Sequence, residues 1–251
     1  MTQPGVLLVT GASKGIGAAV ARSAAAAGWA VAVNYAADEA GAARVVAAVE
    51  ADGGRAVALA GDVSREPDVV RLFDDAEAKL GAPVTALVNN AGIVGRHGRF
   101  ADLDTEALQR TVDINVTGLM LCAREAVRRM STRAGGTGGH IVNISSRAAQ
   151  VGSPGEWVHY AATKGAVDSL TLGLAKEVAG EGIRVNAVAP GLIDTGLHAA
   201  AGQPDRLAAK AHEVPLGRAG TPQDCADAVL WLLSDRAAFV IGAVVPVGGG
   251  R

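Results

Sequence analysis

The stretch Val6-Leu7-Leu8-Val9-Thr10-Gly11-Ala12-Ser13-Lys14-Gly15-Ile16-Gly17 decides how the chain folds. Four aliphatic residues read as a short buried strand, glycines follow at 11, 15 and 17, and an alanine-rich helical stretch runs from about 15 to 27 before Gly28. Strand, glycine-rich turn and helix, in that order, form the setting in which such a turn cradles a pyrophosphate. Gly11 permits the tight turn, while Gly15 and Gly17 allow the backbone to approach the phosphates and the helix to pack on the strand. The helix N-terminus adds free amides and the positive end of its dipole.

Working outward, short aliphatic runs keep alternating with longer helical stretches. Strands are expected at 30–34, 56–60, 84–88, 140–145, 184–188 and 243–247, and helices at 38–51, 66–80, 105–130 and 158–179, with a last helix after the Thr221-Pro222 start signal. With the first strand this makes seven. The alternation implies right-handed crossovers, hence an α/β Rossmann fold with a seven-stranded parallel sheet flanked by helices on both faces. A chain of 251 residues with 49% apolar content can fill one large core, so 1–251 is expected to form a single domain. Residues 134–139 read as a glycine-rich surface turn. The longer segment 192–214 leaves the carboxyl end of a strand at Pro190-Gly191, where a substrate lid is expected.

Composition narrows the function classes. A formal net charge of −2, without a dense Lys/Arg run, gives no footprint for nucleic acid. The stretch from Ala24 to Val33 is too short for a membrane span, and Met1-Thr2-Gln3-Pro4 lacks signal-peptide character, so a cytoplasmic location is expected. Cys122 and Cys225 form no CxxC pair and read as buried apolar residues. The histidines at 97, 140, 159, 198 and 212 show no ligand spacing, and no metal is expected.

A second landmark lies in Tyr160-Ala161-Ala162-Thr163-Lys164. At i and i+4 on one helix, the ammonium sits near the phenol and favours phenolate, which would let the tyrosine exchange a proton with a carbonyl or alcohol oxygen. Ser145-Ser146 ends the preceding strand, Asn115 falls in the long middle helix, and Asn89-Asn90-Ala91-Gly92 follows the fourth strand. On these motifs, from Val6 to the Gly248-Gly249-Gly250 end, the chain resembles the short-chain dehydrogenase/reductase family, with 3-oxoacyl-carrier-protein reductases and glucose 1-dehydrogenases similar in general appearance. The resemblance implies that Ser146 hydrogen-bonds the substrate oxygen, Tyr160 gives or takes the proton, Lys164 binds the nicotinamide ribose, and Asn115 holds a water linking Lys164 to solvent. It places Gly11, Ser13, Lys14, Gly15, Ile16 and Gly17 around the phosphates, Asp62 and Val63 at the adenine, and Asn90, Ala91 and Gly92 on the adenosine side. Pro190, Gly191, Ile193 and Thr195 would embrace the nicotinamide.

One departure stands out: Ser146 precedes Tyr160 by fourteen residues, one more than the commonest family spacing, with Arg147 at the usual offset. The extra residue is assigned to the Gly152-Ser153-Pro154-Gly155 loop, with Ser145 as the alternative serine. The second strand ends at Asn34 without an acid before Asp38, and Lys14 adds a cation, so NADP(H) is expected to be preferred over NAD(H). Arg96, His97, Arg147, Gln150, Glu156, Trp157, Leu192, Leu197 and His198 are expected to line the substrate pocket, with Arg96 and Arg147 available to an anionic substrate. The resemblance further implies a homotetramer paired through the middle helix and the tyrosine helix, with Leu119, Leu121, Leu170 and Leu174 on their faces. The expected reaction is reduction of a 3-oxoacyl thioester or another ketone; a sugar dehydrogenase and a nonenzymatic NADP(H) sensor are the alternatives.

Overall fold

Strand β1 (Val6–Val9) shows how the sequence builds two cores at once. Leu7 and Val9 enter one buried cluster, Val6 and Leu8 the other, as the two-residue period of a strand requires. Both faces are therefore apolar, which fits a parallel sheet covered on each side. In a computed structural model describing residues 5–251, β1 lies between β2 (Ala30–Tyr35) and β4 (Val84–Asn89), and β3 (Arg55–Ala60) forms one edge. On the other side follow β5 (Gly139–Ile144), β6 (Ile183–Pro190) and β7 (Val244–Val247). The order is β3-β2-β1-β4-β5-β6-β7 and every pairing is parallel. The expected signal-free N-terminus, residues 1–4, and the side chain of His198 lie outside the described residues.

Helices α1 (Gly15–Ala26) and α2 (Glu39–Ala51) pack on the face that receives Leu7 and Val9. Helix α3 (Glu66–Leu80) covers the opposite face through Val69, Leu72, Phe73 and Ala76. Helices α4 (Thr105–Val112) and α5 (Leu119–Met130) are joined through a wider π-helical segment, Asp113–Gly118, so the expected single helix is one rod with a bulge at Asn115. Such bulges often occur at functional sites. A short α6 (Ala148–Val151) precedes α7 (Val158–Val178), which follows α5 onto the second face. The expected lid carries α8 (Leu197–Ala200) and α9 (Arg206–Lys210). Helix α10 (Pro222–Leu233) returns to the first face, and its Thr221–Asp224 capping box with Pro222 in the first turn explains its sharp start.

Both cysteine thiols are buried, and burial pushes each up to about 12. Of the leucines expected on exposed helix faces, Leu119 is a core residue, and Leu121, Leu170 and Leu174 are half-buried. Val112, Met120 and Leu172 instead present apolar surface on those rods. On α5, the π-helical segment just before Leu119 shifts the helical phase from that of one continuous α-helix. Among the described residues, no helix is long and apolar enough to cross a membrane.

Candidate active site

Sheet order places a crevice beyond the carboxyl ends of β1 and β4, because the chain proceeds from β1 in one direction and resumes at β4 in the other. Two turns meet there. Thr10 Oγ1 accepts hydrogen bonds from the Asn90 and Ala91 amides at 3.0 Å each, and Asn90 Nδ2 donates to the Thr10 and Gly11 carbonyls at 2.9 and 2.8 Å. Gly11 has φ +60°, and a Cβ there would lie 2.8 Å from Ala91 Cα, so only glycine fits between the turns. Gly17 serves the same close packing, since its Cβ would lie 2.7 Å from the Gly11 carbonyl oxygen. Gly17 does not line the cavity, whereas Gly11 and Gly15 do.

The N-terminus of α1 is bare. Lys14 at the N-cap is extended and provides no side-chain cap, and the first turn contains no acid. Unpartnered amides and helix dipole together suit a phosphate. The cavity in front of them has a volume of about 540 Å³, and its wall includes Ser13, Lys14, Gly15, Ile16, Asn34, Asp62, Val63, Ala91 and Gly92. Asn90, Pro190, Gly191, Ile193 and Thr195 continue that wall. The donor set and the absent Cβ atoms fit a dinucleotide.

Along the same wall, Asp62 accepts from Ser64 Oγ at 2.6 Å and lies 3.3 Å from Arg110. Burial pushes its carboxyl up, but the Ser64 hydrogen bonds and Arg110 outweigh that and leave it below its ordinary value. Asn34 reaches the cavity wall with its side chain committed to the fold. Its Oδ1 accepts from the Gly11 amide at 3.1 Å, and its Nδ2 faces the Tyr35, Leu59 and Gly61 carbonyls at 3.3, 3.3 and 3.0 Å. Lys14, Ala36, Ala37 and Asp38 also stand in the wall.

The other end gathers the tyrosine constellation. Helix α7 presents Tyr160 and Lys164 on one side, with Nζ 5.7 Å from the centre of the phenol ring. Lys164 Nζ donates to the Ile144 carbonyl at 2.7 Å, and burial lowers it to about 8 despite the opposing pull of Asp168. Burial raises the Tyr160 phenol, and a hydrogen bond with Ser146 acts the other way. The depressed tyrosine pKa expected from the sequence is thus reversed in the protein by itself, because desolvation of the phenolate is the larger effect. Ser146 Oγ accepts from the Ala148 amide at 3.1 Å and faces the cavity. Ser145 is buried, and its hydroxyl bonds to Asp168 on α7. Asn115 accepts from the Ile93 amide at 2.9 Å and donates to the Ile93 carbonyl at 2.8 Å and to Thr163 Oγ1 at 3.1 Å, fastening the turn after β4 to α7.

A family model described as enoyl-(acyl carrier protein) reductase matches residues 11–251. The chain is 46% identical to the uncharacterized oxidoreductase YgfF of Escherichia coli, over 98% of this chain and 99% of the relative. It is 43% identical to cis-4-hydroxycyclohexanecarboxylate dehydrogenase of Sinomonas cyclohexanicum, over 98% and 95% of the two chains. It is 38% identical to 3-oxoacyl-[acyl-carrier-protein] reductase of Synechocystis, over 98% and 96%. The chain belongs to the short-chain dehydrogenase/reductase family. Like its relatives, this short-chain dehydrogenase/reductase is an oxidoreductase acting on CH–OH groups with a nicotinamide cofactor.

The substrate side of this family member departs in part from the sequence reading. Arg147, Trp157, Leu192 and Leu197 line the cavity. Arg96 does not: it lies 3.6 Å from Asp104, and 62% of its side chain is in solvent. His97 is not a lining residue and meets the Trp157 ring in a T-shape, Gln150 bonds Arg147 and Asp168, and Glu156 pairs with Arg206 of the lid. The reading of His198 as pocket lining falls on the side chain outside the described residues. Arg206 and Arg251 line the cavity and were missed, because neither sits in a motif and both arrive through tertiary folding of distant segments. An arginine inside a lid segment was the only available signal for Arg206.

Proposed function

We propose that the chain is an NADP(H)-dependent enzyme that interconverts a ketone and a secondary alcohol, with Tyr160 as proton donor or acceptor and Ser146, Lys164 and Asn115 supporting it. The observation that carries this reading is the convergence of Ser146, Tyr160 and Lys164 in the same cavity as the bare α1 N-terminus and the glycine turn. When bound, a nicotinamide dinucleotide supplies or accepts the hydride. Gly11, Gly15 and the α1 amides hold its phosphates, and Pro190, Gly191, Ile193 and Thr195 enclose the nicotinamide end. Ser146 steadies charge on the substrate oxygen while Tyr160 hands over its phenol proton, the form that burial favours. Lys164 supplies positive charge beside the phenol in the oxidative direction. Segment 192–214 closes over the substrate, and 1–251 acts as one catalytic unit.

The NADP(H) preference rests on the ribose end. Asp38 is held below its ordinary value by the Gly41 amide first and Ser13 next, with Lys14 and Arg44 nearby, so its charge is offset by two cations. Lys14→Ala is expected to weaken NADPH binding roughly tenfold more than NADH binding, as loss of a bond to a charged phosphate would. Equal losses would remove the preference.

The deciding experiment is the initial rate of NADPH oxidation by wild type and Tyr160→Phe with 3-oxoacyl thioesters, diketones, keto sugars, steroids and oxocarboxylates. A rate on one class that falls by about 10² or more in Tyr160→Phe establishes the reading. Undiminished rates in the variant, or tight NADPH binding with silence across the panel, would count against it and favour a nucleotide sensor.

A further inference from the structure

Tyr160, Lys164 and Asp168 follow one another by single turns along the same side of α7. The first two line the cavity, and Asp168 does not. Lys164 is buried, and among the described residues its ammonium makes no ion pair; its Nζ bond goes to the neutral Ile144 carbonyl at 2.7 Å. A buried ammonium without a paired carboxylate gives up its proton readily. Burial accordingly lowers Lys164 to about 8, and the charge that opposes burial there is Asp168.

Both oxygens of the Asp168 carboxylate are held. The buried Ser145 donates its hydroxyl to Oδ1, and the same Oγ lies 3.4 Å from the Lys164 carbonyl, so one serine ties two turns of α7 to the end of β5. Gln150 of α6 donates Nε2 to Oδ2 at 3.2 Å. Arg147 reaches this cluster only through Gln150, whose Oε1 accepts from its Nη1 at 3.0 Å. Among the described residues Asp168 makes no ion pair, so no adjacent cation draws its charge away from Lys164. The other ionisable group facing the ammonium is the Tyr160 phenol, 5.7 Å away at its ring centre. Ile144 and the turn after β4 offer no charge: a Cβ on Gly92 would lie 3.6 Å from Nζ and 3.3 Å from Asn115 Oδ1.

We propose that Asp168 is a positioning residue that keeps Lys164 charged during proton exchange at Tyr160, acting from outside the cavity and anchored there by Ser145 and Gln150. The inference rests on the proposed function for what the lysine's charge does, but the charge itself is measurable without turnover. The test is a pH titration of the Cε resonance of isotope-labelled Lys164 in the NADPH-loaded enzyme, assigned with Lys164→Met, beside the pH profile of kcat/KM for ketone reduction. Wild type, Asp168→Asn and Asp168→Glu are compared. Asparagine keeps the shape and can still accept from Ser145, but it removes a negative charge that favours the ammonium. The Lys164 midpoint in Asp168→Asn is therefore expected to fall by about 0.5 or more on the pH scale. Lys164 titrates below the Tyr160 phenol, which burial raises, so the alkaline limb of ketone reduction reports the lysine and moves down with it. Asp168→Glu keeps the charge and is expected to retain both. Asp168→Ser gives the same readout if the asparagine variant does not fold. An unmoved midpoint in the variants that lack the carboxylate, or a lowered midpoint with an unmoved limb, overturns the proposal. A rate that falls equally at every pH is that of a purely structural residue and overturns it too. A lowered midpoint in an enzyme that reduces no ketone would instead overturn the proposed function and leave the hold of Asp168 on Lys164 standing.

Discussion

Ser145 and Ser146 follow the end of β5 with their side chains on opposite sides, so adjacent hydroxyls have unlike fates. Ser145 ties the strand end to Asp168 on α7, while Ser146 faces Tyr160 and the cavity. Ser146→Ala is expected to lower kcat/KM by about 10² to 10³, the cost of losing one oxygen-stabilising donor. Ser145→Ala is expected to lower thermal stability first, because it leaves the Asp168 carboxylate without that hydroxyl. Steady-state kinetics and thermal melts of the two variants check this. Full turnover in Ser146→Ala, with none in Ser145→Ala, would transfer the role to Ser145. In the loop between Ser146 and Tyr160, Gly152, Ser153 and Gly155 have φ of +74°, +44° and +72°.

At the scale of elements, the lid is joined to the loop before α7 through Glu156. Arg206 first and Lys210 next hold its carboxyl at about 2, against an ordinary value of 4.5. A carboxyl depressed in the folded protein adds stability that is fully present above about pH 4.5 and disappears as pH falls through about 2. Wild type is therefore expected to melt above Glu156→Gln by a constant margin near neutrality, with the two curves converging as pH drops below 4.5. A margin independent of pH would show that the ion pairs with α9 contribute nothing. The π-helical segment has a separate consequence: it sets Asn115 where its amide can bridge the turn after β4 and Thr163 on α7.

For the whole molecule, the parallel order β3-β2-β1-β4-β5-β6-β7 leaves α4, α5 and α7 as outer rods on one face. Val112, Met120 and Leu172 are 41%, 42% and 48% exposed there, an apolar surface consistent with pairing of copies. We propose that these rods build a homotetramer. Sedimentation is expected to give a tetramer for wild type and a smaller species for Leu172→Glu, whereas a wild-type monomer would rule the assembly out.

The sequence by itself determined the alternation of strands and helices, because burial on both faces of a parallel sheet demands aliphatic runs and the flanking helices need their own period. It also determined where the glycines stand, since at Gly11 a side chain cannot fit, and it singled out Tyr160 and Lys164, whose spacing brings them together on any helix. Only the tertiary structure decided what lies opposite those residues. Asn34 turned inward to the Leu59 and Gly61 carbonyls, which lie on a neighbouring segment, and burial raises the Tyr160 phenol against the opposing Ser146 hydrogen bond. Arg96 stayed in solvent beside Asp104, while Arg206 came from a segment with no motif to pair with Glu156 in the cavity wall. Local spacing fixes neighbours along one element; desolvation and the pairing of charges depend on elements that meet only when the chain has folded.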